Sequence, residues 1–278
     1  MNFVCLTLFK DMVENCMNTS IMGRAIDKGL ISLDVIDIRD FACNKHNRVD
    51  DYPYGGGAGM VMQAEPVYKA CEYARELLRN KRNDNASINE KNDINKETGI
   101  NENTGINENT RTRLIYLSPI GRTFTQEVAK ELAKEENLIF LCGHYEGIDE
   151  RVLEIEADDY ISLGDFVLTG GELPAICVMD AVSRLIPGVL NNDESAGDES
   201  FEGNTLEYPQ YTRPEVFMDK AVPEVLLSGH HANIADWRRG QSLMRTAKYR
   251  PDLLEKVELD KKDRKWLEQC HSERSEES

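Results

Sequence analysis

Short runs of alternating or helically spaced apolar residues fill the first 80 positions. NFVCLTLF (2–9) and LDVIDIRDF (33–41) have the pattern of strands, and NTSIMGRAIDKG (18–29) has that of a helix closed by glycine. A polar, glycine-rich loop (43–60) precedes EPVYKACEYARELLRN (65–80), which has helical spacing. One side of that helix is apolar: Val67, Ala70, Cys71, Ala74, Leu77 and Leu78. The order β-α-β-loop-α predicts a mostly parallel sheet covered by helices on both faces.

Residues 80–113 break this pattern. They are rich in asparagine, repeat themselves as TGINENTGINENT and contain few apolar side chains. Such a segment buries too little surface to offset its ordering entropy, so we predict a disordered surface insertion. The alternative, a turn of an asparagine-rich β-solenoid, needs more repeats than the segment contains.

Regular patterns return after the insertion. The strands predicted there are LIYLS (114–118), NLIFLC (137–142) and ADDYISL (157–163), and the helices are TFTQEVAKELAKEE (123–136) and ELPAICVMDAVSRLI (172–186). The acidic, turn-rich residues that follow are typical of a mobile linker. We therefore predict an α/β domain (1–190), a flexible linker (191–213), a helical domain (214–268) and a disordered tail (269–278).

The composition adds limits on location and partners. The chain is 40% hydrophobic and 30% charged and contains no apolar run long enough to span a membrane, as expected of a soluble globular protein. Its seven cysteines are odd in number and form no CxxC pair, which indicates free thiols and a cytoplasmic location. The net charge of −17 argues against general adhesion to nucleic acid but leaves room for a local basic patch.

Glycines cluster at three places that border predicted strands: YGGGAGM (54–60), CGHYEG (142–147) and GDFVLTGGE (164–172). Because glycine lets the main chain approach a ligand, clusters at the carboxyl edge of one sheet predict a pocket lined by backbone atoms. Tight turns alone are the other interpretation. No P-loop or GxGxxG fingerprint is present, and the apolar residues 166–168 suit a flat, uncharged ring such as adenine.

Six strings resemble, in order, the bacterial tRNA (guanine-N1)-methyltransferase family TrmD, of the SPOUT superfamily: YLSPIGRTFTQ, CGHYEGIDERV, ISLGDFVLTGGELPA, DAVSRLIPGVL, LEYPQYTRP and VPEVLLSGHHANIADWRRGQSLMRT. The likeness covers residues 1 to about 268 apart from the insertion. It implies a SPOUT-type α/β fold with a deep trefoil knot, an exception to the rule against threaded loops, and a small helical C-terminal domain. It also implies an obligate homodimer with active sites at the interface. The family methylates N1 of guanosine 37 in tRNA with S-adenosylmethionine, helped by Mg²⁺.

The resemblance assigns the methyl donor to the glycine clusters. The contacts that it implies come from three segments: Tyr116, Leu117, Ser118 and Pro119; Gly143, Tyr145 and Glu146; and Leu163, Gly164, Asp165, Phe166, Val167, Leu168, Gly170 and Gly171. The stretch GDFVLTGGE would then be the knot loop that wraps the adenine and ribose of the donor.

Methylation at N1 of guanine sets two chemical requirements. A general base must remove the N1 proton, and a cation or donor must meet O6, where negative charge grows. The resemblance gives O6 to Arg184. In the family pattern an Asp stands immediately before Ser-Phe, where this chain has Glu199, with Asp198 one residue earlier. Our hypothesis is that Glu199 is the base, and Asp198 is the alternative.

The tRNA contacts are predicted on two parts of the chain. Bare backbone at Gly55, Gly56 and Gly57 would let the flipped guanine or its neighbour pack closely. His46, Arg48 and Asp50 precede this loop and are expected to touch the anticodon stem. Further contacts are expected from Tyr211, Arg213, Arg238, Arg239, Arg245, Lys248 and Arg250. Without an RNA substrate, the basic run among these residues would be a solvated helix face.

Three other functions are weighed against this one. A knotted methyltransferase acting on another RNA site would lack YPQYTRP and WRRGQSLMRT. A metal hydrolase using Cys142, His144, His230 and His231 is disfavoured, because Cys-x-His and adjacent histidines are weak spacings for a tetrahedral site, and we predict no metal ligands. A non-catalytic RNA-binding relative would result if the change to Glu199 is disabling.

Overall fold

The computed structural model describes residues 1–93, 112–190 and 200–276. They divide between two compact units, whose boundary falls between Asn191 and Asn192. No helix in these three ranges has both the length and the apolar character needed to cross a membrane.

The first unit is built on a parallel sheet. Its strands are β1 (Asn2–Thr7), β2 (Ser32–Asp37), β3 (Asp50–Asp51), β4 (Val61–Met62), β5 (Thr112–Thr123), β6 (Asn137–Leu141) and β7 (Asp159–Ser162). Five of them form one sheet in the order β2-β1-β6-β5-β7, with every neighbouring pair parallel, while β3 and β4 form a separate antiparallel ribbon. The mostly parallel sheet predicted from the sequence is confirmed.

Helices cover both faces of the sheet. They are α1 (Lys10–Met17), α2 (Ser20–Asp27), α3 (Ala64–Asp93), α4 (Gln126–Leu132), α5 (Glu150–Glu156) and α6 (Glu172–Ser183), with a 3-10 turn at Ile38–Phe41. Successive strand residues point to opposite faces. Phe3 and Phe140 therefore join one core with α1, α2, α4 and α6, while Val4 and Leu141 join the other with α3 and α5. The apolar side predicted for α3 packs into this second core.

Strand β5 is interrupted at its carboxyl end. Leu117 and Arg122 both pair with Ile161 of β7, so residues 118–121 loop out between them. A β-carbon at Gly121 would run into the backbone of Tyr160 and Ile161, so only glycine fits this close approach. Arg122 donates hydrogen bonds to Asp159 at 2.6 Å and to Glu131 at 2.7 Å, which ties the returning strand to β7 and α4.

Three helices of this unit differ from the sequence prediction: α3 is longer than predicted, and α1 and α5 are absent from the prediction. α3 continues to Asp93, so the disorder predicted from residue 80 is wrong for residues 80–93, and residues 94–111 lie outside the described part of the chain. Lys81 pairs with Asp34 on β2, which fastens α3 to the sheet past the predicted end of order. α1 is absent from the prediction because its buried face consists of only Val13 and Met17.

The second unit is mostly helical. It contains a hairpin of β8 (Val216–Phe217) and β9 (Lys220–Ala221), followed by α7 (Glu224–Leu227), α8 (His231–Tyr249), α9 (Pro251–Leu254) and α10 (Lys261–Glu276). Trp266 of α10 packs directly over Gly240 of α8. The disorder predicted for residues 269–278 is wrong as far as Glu276, because α10 continues to that residue, and residues 277–278 are not described.

The described part of the predicted linker lies along α8. Ser242 Oγ donates to the carbonyl of Leu206 at 2.6 Å, and the amide of Leu206 donates to Thr246 Oγ1 at 2.8 Å. Thr205, next in the chain, is buried. Residues 204–206 are thus anchored to a helix rather than free, while residues 191–199 lie outside the described ranges.

Candidate active site

A cavity of about 290 Å³ opens at the carboxyl ends of β5, β6 and β7. Parallel sheets bind ligands at this edge, and the volume is near the lower end of the roughly 300–1,000 Å³ usual for small-molecule pockets. Its walls are residues 116–119, 143–147, 161–164 and 166–171, with Pro174. These residues form three segments: the first lies where β5 is interrupted, the second follows β6, and the third continues from the end of β7. The cavity therefore exists because regular pairing of these neighbouring strands stops at one edge of the sheet.

The predicted donor-binding residues meet in this cavity. All of them line it except Asp165, which is exposed beside it. The lining also includes residues that the prediction leaves out: His144, Gly147, Ile161, Ser162, Thr169 and Pro174. His144 and Gly147 lie inside the CGHYEG string, so the sequence could have predicted them as lining residues.

Gly143 and Tyr116 set the width of the cavity between β5 and β6. A β-carbon at Gly143 would lie 2.9 Å from the Tyr116 hydroxyl oxygen. The carbonyl of Gly143 accepts a hydrogen bond from the amide of Gly171 at 3.0 Å, which joins two of the three lining segments. Burial raises the pKa of Tyr116, so its phenol is protonated at neutral pH and can donate a hydrogen bond to a ligand.

A buried polar cluster lies at the start of α6. Glu172 is only 3% exposed, and its Oε1 accepts a hydrogen bond from Thr7 Oγ1 at 2.7 Å. The His144 ring contacts the rings of Phe9 and Tyr145, each at 5.0 Å between centroids. Its Nδ1 is buried and has no hydrogen-bond partner within the described part of the chain. A buried polar atom of this kind is an open position for a ligand or water.

The glycine-rich loop 52–60 connects β3 to β4 and is joined to the cavity through β4. The amide of Met62 donates to Gly147 at 2.9 Å, and the amide of Asp149 donates to Met62 at 3.0 Å. Glu146, which lines the cavity, donates its amide to Met60 at 3.0 Å. The loop that holds Gly55, Gly56 and Gly57 is therefore bonded to the wall of the cavity.

The other predicted substrate residues of this unit lie next to the same ribbon. Asp50 belongs to β3 and pairs with Met62. His46 and Arg48 lie in the turn before it, where Asn44 Oδ1 accepts hydrogen bonds from both amides, at 3.1 and 3.0 Å. The structure thus groups these three residues with the glycine loop at one side of the cavity.

Arg184 is not brought to this cavity. Gly171, in the cavity wall, caps α6 at its N-terminus, and Arg184 caps it at its C-terminus. Pro174, also in the cavity wall, is ten residues from Arg184 along α6, about 15 Å at a rise of 1.5 Å per residue, which is farther than an arginine side chain reaches. The predicted bases Glu199 and Asp198 lie outside the described residues.

The basic residues of the second unit have different surroundings. Arg239 donates to both carboxylate oxygens of Asp263, at 3.2 and 2.8 Å, and this pairing lowers the pKa of Asp263. Arg250 likewise pairs with Asp252 at 2.7 Å. The guanidinium of Arg238 stacks over Tyr208 at 4.8 Å and is exposed.

The remaining predicted tRNA contacts of this unit are on its surface. Tyr211 is 48% exposed, and its ring centroid lies 6.2 Å from that of Trp237. Arg213, Arg245 and Lys248 are exposed. Arg239, one of the predicted basic contacts, instead forms an ion pair with Asp263 of α10. The sequence around Arg239 contains nothing that predicts this pair.

Within the described ranges, no group of three or more His, Cys, Asp or Glu side chains is placed to hold a metal ion. The fold and the site together define an α/β protein with a cavity between backbone loops at the carboxyl edge of a parallel sheet, the edge where such sheets commonly bind small molecules. Comparison with known proteins then identifies the family.

The family tRNA (Guanine-1)-methyltransferase TrmD matches residues 1–86 and 94–256, and the chain belongs to this family of enzymes. Relatives named tRNA (guanine-N(1)-)-methyltransferase include a protein of Lachnoclostridium phytofermentans, 57% identical over 97% of this chain and 96% of its own. One from Lachnospira eligens is 54% identical over 92% of this chain and 95% of its own. One from Staphylococcus epidermidis is 49% identical over 95% and 94%. The family membership inferred from the six strings is confirmed.

Proposed function

We propose that this protein transfers the methyl group of S-adenosylmethionine to N1 of guanosine 37 in tRNA. The observation that carries the proposal is that two separate glycine clusters, at 142–147 and 164–172, line one cavity, while the third, at 54–60, is bonded to its wall through Met60 and Glu146. Family membership supports a tRNA guanine as the acceptor. A tRNA substrate also supports the cytoplasm as the location.

The cavity fits the donor chemically. Backbone N–H and C=O groups of residues 143–147 and 163–164 can satisfy the edge of an adenine, and the apolar side chains of Phe166, Val167 and Leu168 suit its faces. Ser118, Tyr145 and Glu146 supply polar side chains at the rim for the ribose and amino-acid portions. When bound, S-adenosylmethionine supplies an activated methyl group and its own leaving group, so the protein has to align N1 with it.

The fold of the donor site is proposed to be the trefoil knot of the SPOUT class. The contact of Gly121 with the backbone of β7 supports this, because strands threaded through one another require such close main-chain approaches. In this arrangement the loop from Leu163 to Gly171 is held against Gly143 by a hydrogen bond. The donor would therefore bind in a nearly preformed site.

Methylation of the guanine requires that a base remove the N1 proton and that a cation stabilise the negative charge at O6. We assign removal of the N1 proton to Glu199, with Asp198 as the alternative, since either carboxylate can act as a general base. We assign Arg184 to O6, where its cation would stabilise the negative charge that grows as the proton leaves. The glycine loop at Gly55, Gly56 and Gly57 would hold the extruded base or its neighbour against bare backbone.

The distance of about 15 Å along α6 between the cavity wall at Pro174 and Arg184 supports a homodimer as the active form. A single protomer holds the donor cavity at one end of α6 and the O6 contact at the other. A complete site would combine the cavity of one protomer with Arg184 of a second. Dimerisation is thus part of the proposed mechanism.

The second unit is proposed to bind the phosphate backbone of the tRNA. Arg238, Arg245 and Lys248 are exposed cations on α8, and Arg213 and Tyr211 precede it. Arg239 is assigned a smaller role than the sequence suggested, because it is paired with Asp263. A helper Mg²⁺ stays a prediction of the resemblance alone.

Transfer of a labelled methyl group from S-adenosylmethionine to a full-length tRNA transcript, followed by nucleoside analysis, tests this function. We expect 1-methylguanosine as the product. Glu199→Ala should reduce kcat by roughly 100-fold or more, the usual contribution of a general base, while donor affinity is unchanged. Near-normal turnover in Glu199→Ala together with loss in Asp198→Ala would transfer the role to Asp198. An unmodified transcript under all conditions would contradict the proposal.

A further inference from the structure

Tyr54 is the most exposed large side chain near the cavity. It is 101% exposed, which is the accessibility of an isolated side chain, and Tyr52 beside it is 77% exposed. Single exposed apolar residues are common on protein surfaces. Two tyrosine rings separated only by Pro53, at the tip of a loop that borders a ligand cavity, call for an explanation of their own.

The backbone holds Tyr54 at the tip of a tight turn. The amide of Gly56 donates to the carbonyl of Pro53 at 3.2 Å, and Gly55 has φ of +87°. A positive φ at the third position, after Pro53 and Tyr54, is the geometry of a type II turn, which requires glycine there. The side chain at the second position, Tyr54, is therefore directed away from the ribbon.

The base of this loop is anchored on both sides. β3 and β4 pair through Asp50 with Met62 and Asp51 with Val61. β4 is bonded in turn to the cavity segment, through Met62 and Gly147 at 2.9 Å. The tyrosine tip, residues 52–54, is thus an exposed aromatic surface on a support that belongs to the donor cavity.

Arg151 is an exposed cation next to the cavity segment. It lies in the first turn of α5, is 73% exposed and is bonded to Asp149 at 2.7 Å. Its pKa is raised, mainly by the hydrogen bond to Asp149. Exposed aromatic rings and exposed cations are the groups with which proteins bind unpaired bases.

We propose that Tyr54 is a stacking platform for an unpaired base that flanks the methylated guanosine in the tRNA loop. The inference rests on the proposed function. Stacking on one neighbour would hold the strand while the target guanine is extruded into the cavity, since a base taken out of its stack loses the support of both neighbours. It would also tie the enzyme to a single-stranded loop, because paired bases do not expose their faces.

Kinetics with a tRNA transcript at saturating S-adenosylmethionine test the proposal. Tyr54→Ala should lower kcat/KM for tRNA by about 5- to 100-fold, the effect of losing one base stack. Tyr54→Phe retains the ring and should restore wild-type values. Tyr68→Ala is the matched control, because Tyr68 is a half-exposed tyrosine on α3, outside the loop 52–60, and should leave kcat/KM unchanged. Donor affinity, measured by calorimetry, should be the same in all four proteins.

A second set of transcripts identifies the stacked base. Each carries an abasic nucleotide at position 36 or 38, on one side of guanosine 37. At the stacked position the abasic change should reduce kcat/KM for the wild type but cause no further loss in Tyr54→Ala, because both changes remove the same contact. Full additivity at both positions would overturn the proposal.

Other outcomes are also decisive. Wild-type kcat/KM in Tyr54→Ala would overturn the inference. So would a loss of activity accompanied by a lower mass in sedimentation, since that would assign the ring to a contact between two copies of the chain. If the wild type transfers no methyl group to any transcript, the proposed function fails instead, and filter binding of the same transcripts by wild type and Tyr54→Ala then decides the stacking.

Discussion

Gly143 determines the width of the cavity between β5 and β6, where we propose that the donor binds. Its missing side chain leaves space beside the Tyr116 ring, where a β-carbon would stand 2.9 Å from the hydroxyl oxygen and 3.0 Å from Cε2. The ring is buried between the sheet and the cavity, so it has no free direction in which to move except into the cavity.

Gly143→Ala should therefore raise the Kd for S-adenosylmethionine by about tenfold or more, because overpacking by one methyl group costs about 1–3 kcal/mol. Isothermal titration calorimetry measures this directly. Gly29→Ala is the control: Gly29 has φ of +69° with nothing within 4 Å of its β-carbon position, so it should lose stability and keep donor affinity. Equal donor affinity in Gly143→Ala and the wild type would contradict the assignment of this wall.

The place of a single residue in the fold was predictable where the residue belongs to a recognisable short sequence string. The cavity is built from contiguous segments, so the strings that contain Tyr116, Gly143 and Gly171 identified residues that line one cavity. That this cavity holds the donor stays a prediction. The partner of Arg239 could not be found in this way. Asp263 lies 24 residues farther along the chain, and only the packing of α8 against α10 brings the two together.

At the scale of elements, the ion pair between Arg239 and Asp263 stabilises the packing of α8 against α10. Asp263 has a side chain only 8% exposed, whereas Arg239 is 40% exposed. Removing the arginine would leave a nearly buried carboxylate without its partner, and unpaired buried charges are costly. Asp263 also accepts a hydrogen bond from the amide of Asp260 at 3.4 Å, which helps to start α10.

Arg239→Ala should lower the free energy of unfolding of the protein by about 2 kcal/mol at pH 7, the range of hydrogen bonds to charged groups. The pKa of Asp263 is below its ordinary value in the folded protein, mainly through the hydrogen bond to Arg239. The stabilisation is therefore present above the unfolded pKa of about 3.9 and is lost as pH falls through the folded value. Urea unfolding at pH 7 and pH 3 should show the difference between variant and wild type shrinking in acid. A difference independent of pH would contradict this account.

The type of most elements was predictable, but the short helices α1 and α5 and two element ends were not. The apolar side of α3 repeats at helical spacing, and its residues in the hydrophobic core, from Val67 to Leu78, were expected. Polar composition, however, indicates only that a segment adds little to a core. Residues 80–93 continue a helix that already exists, so they avoid the cost of nucleation, and Lys81 adds a tie to Asp34. The same reasoning applies to α10 beyond residue 268.

At the scale of the whole molecule, the separation of the cavity from Arg184 can be used to test whether each active site combines residues of two protomers. Glu146→Ala impairs the proposed donor cavity and leaves Arg184 intact, and Arg184→Ala does the reverse. If the homodimer shares its sites, reassociation of equal amounts of the two variants should restore on the order of a quarter of the wild-type sites, because half of the random dimers are mixed and each has one complete site. Methyl transfer after unfolding and refolding the mixture measures this. No recovery above the separate variants would place each site within one protomer.

The central claim is methylation of one guanosine, and a pair of transcripts tests it most directly. Both are full-length tRNAs with guanosine at position 36, and they differ only in having guanosine or adenosine at position 37. The account predicts incorporation of labelled methyl groups from S-adenosylmethionine into the first and none into the second. Equal incorporation into both, or into neither while the donor still binds, would contradict it.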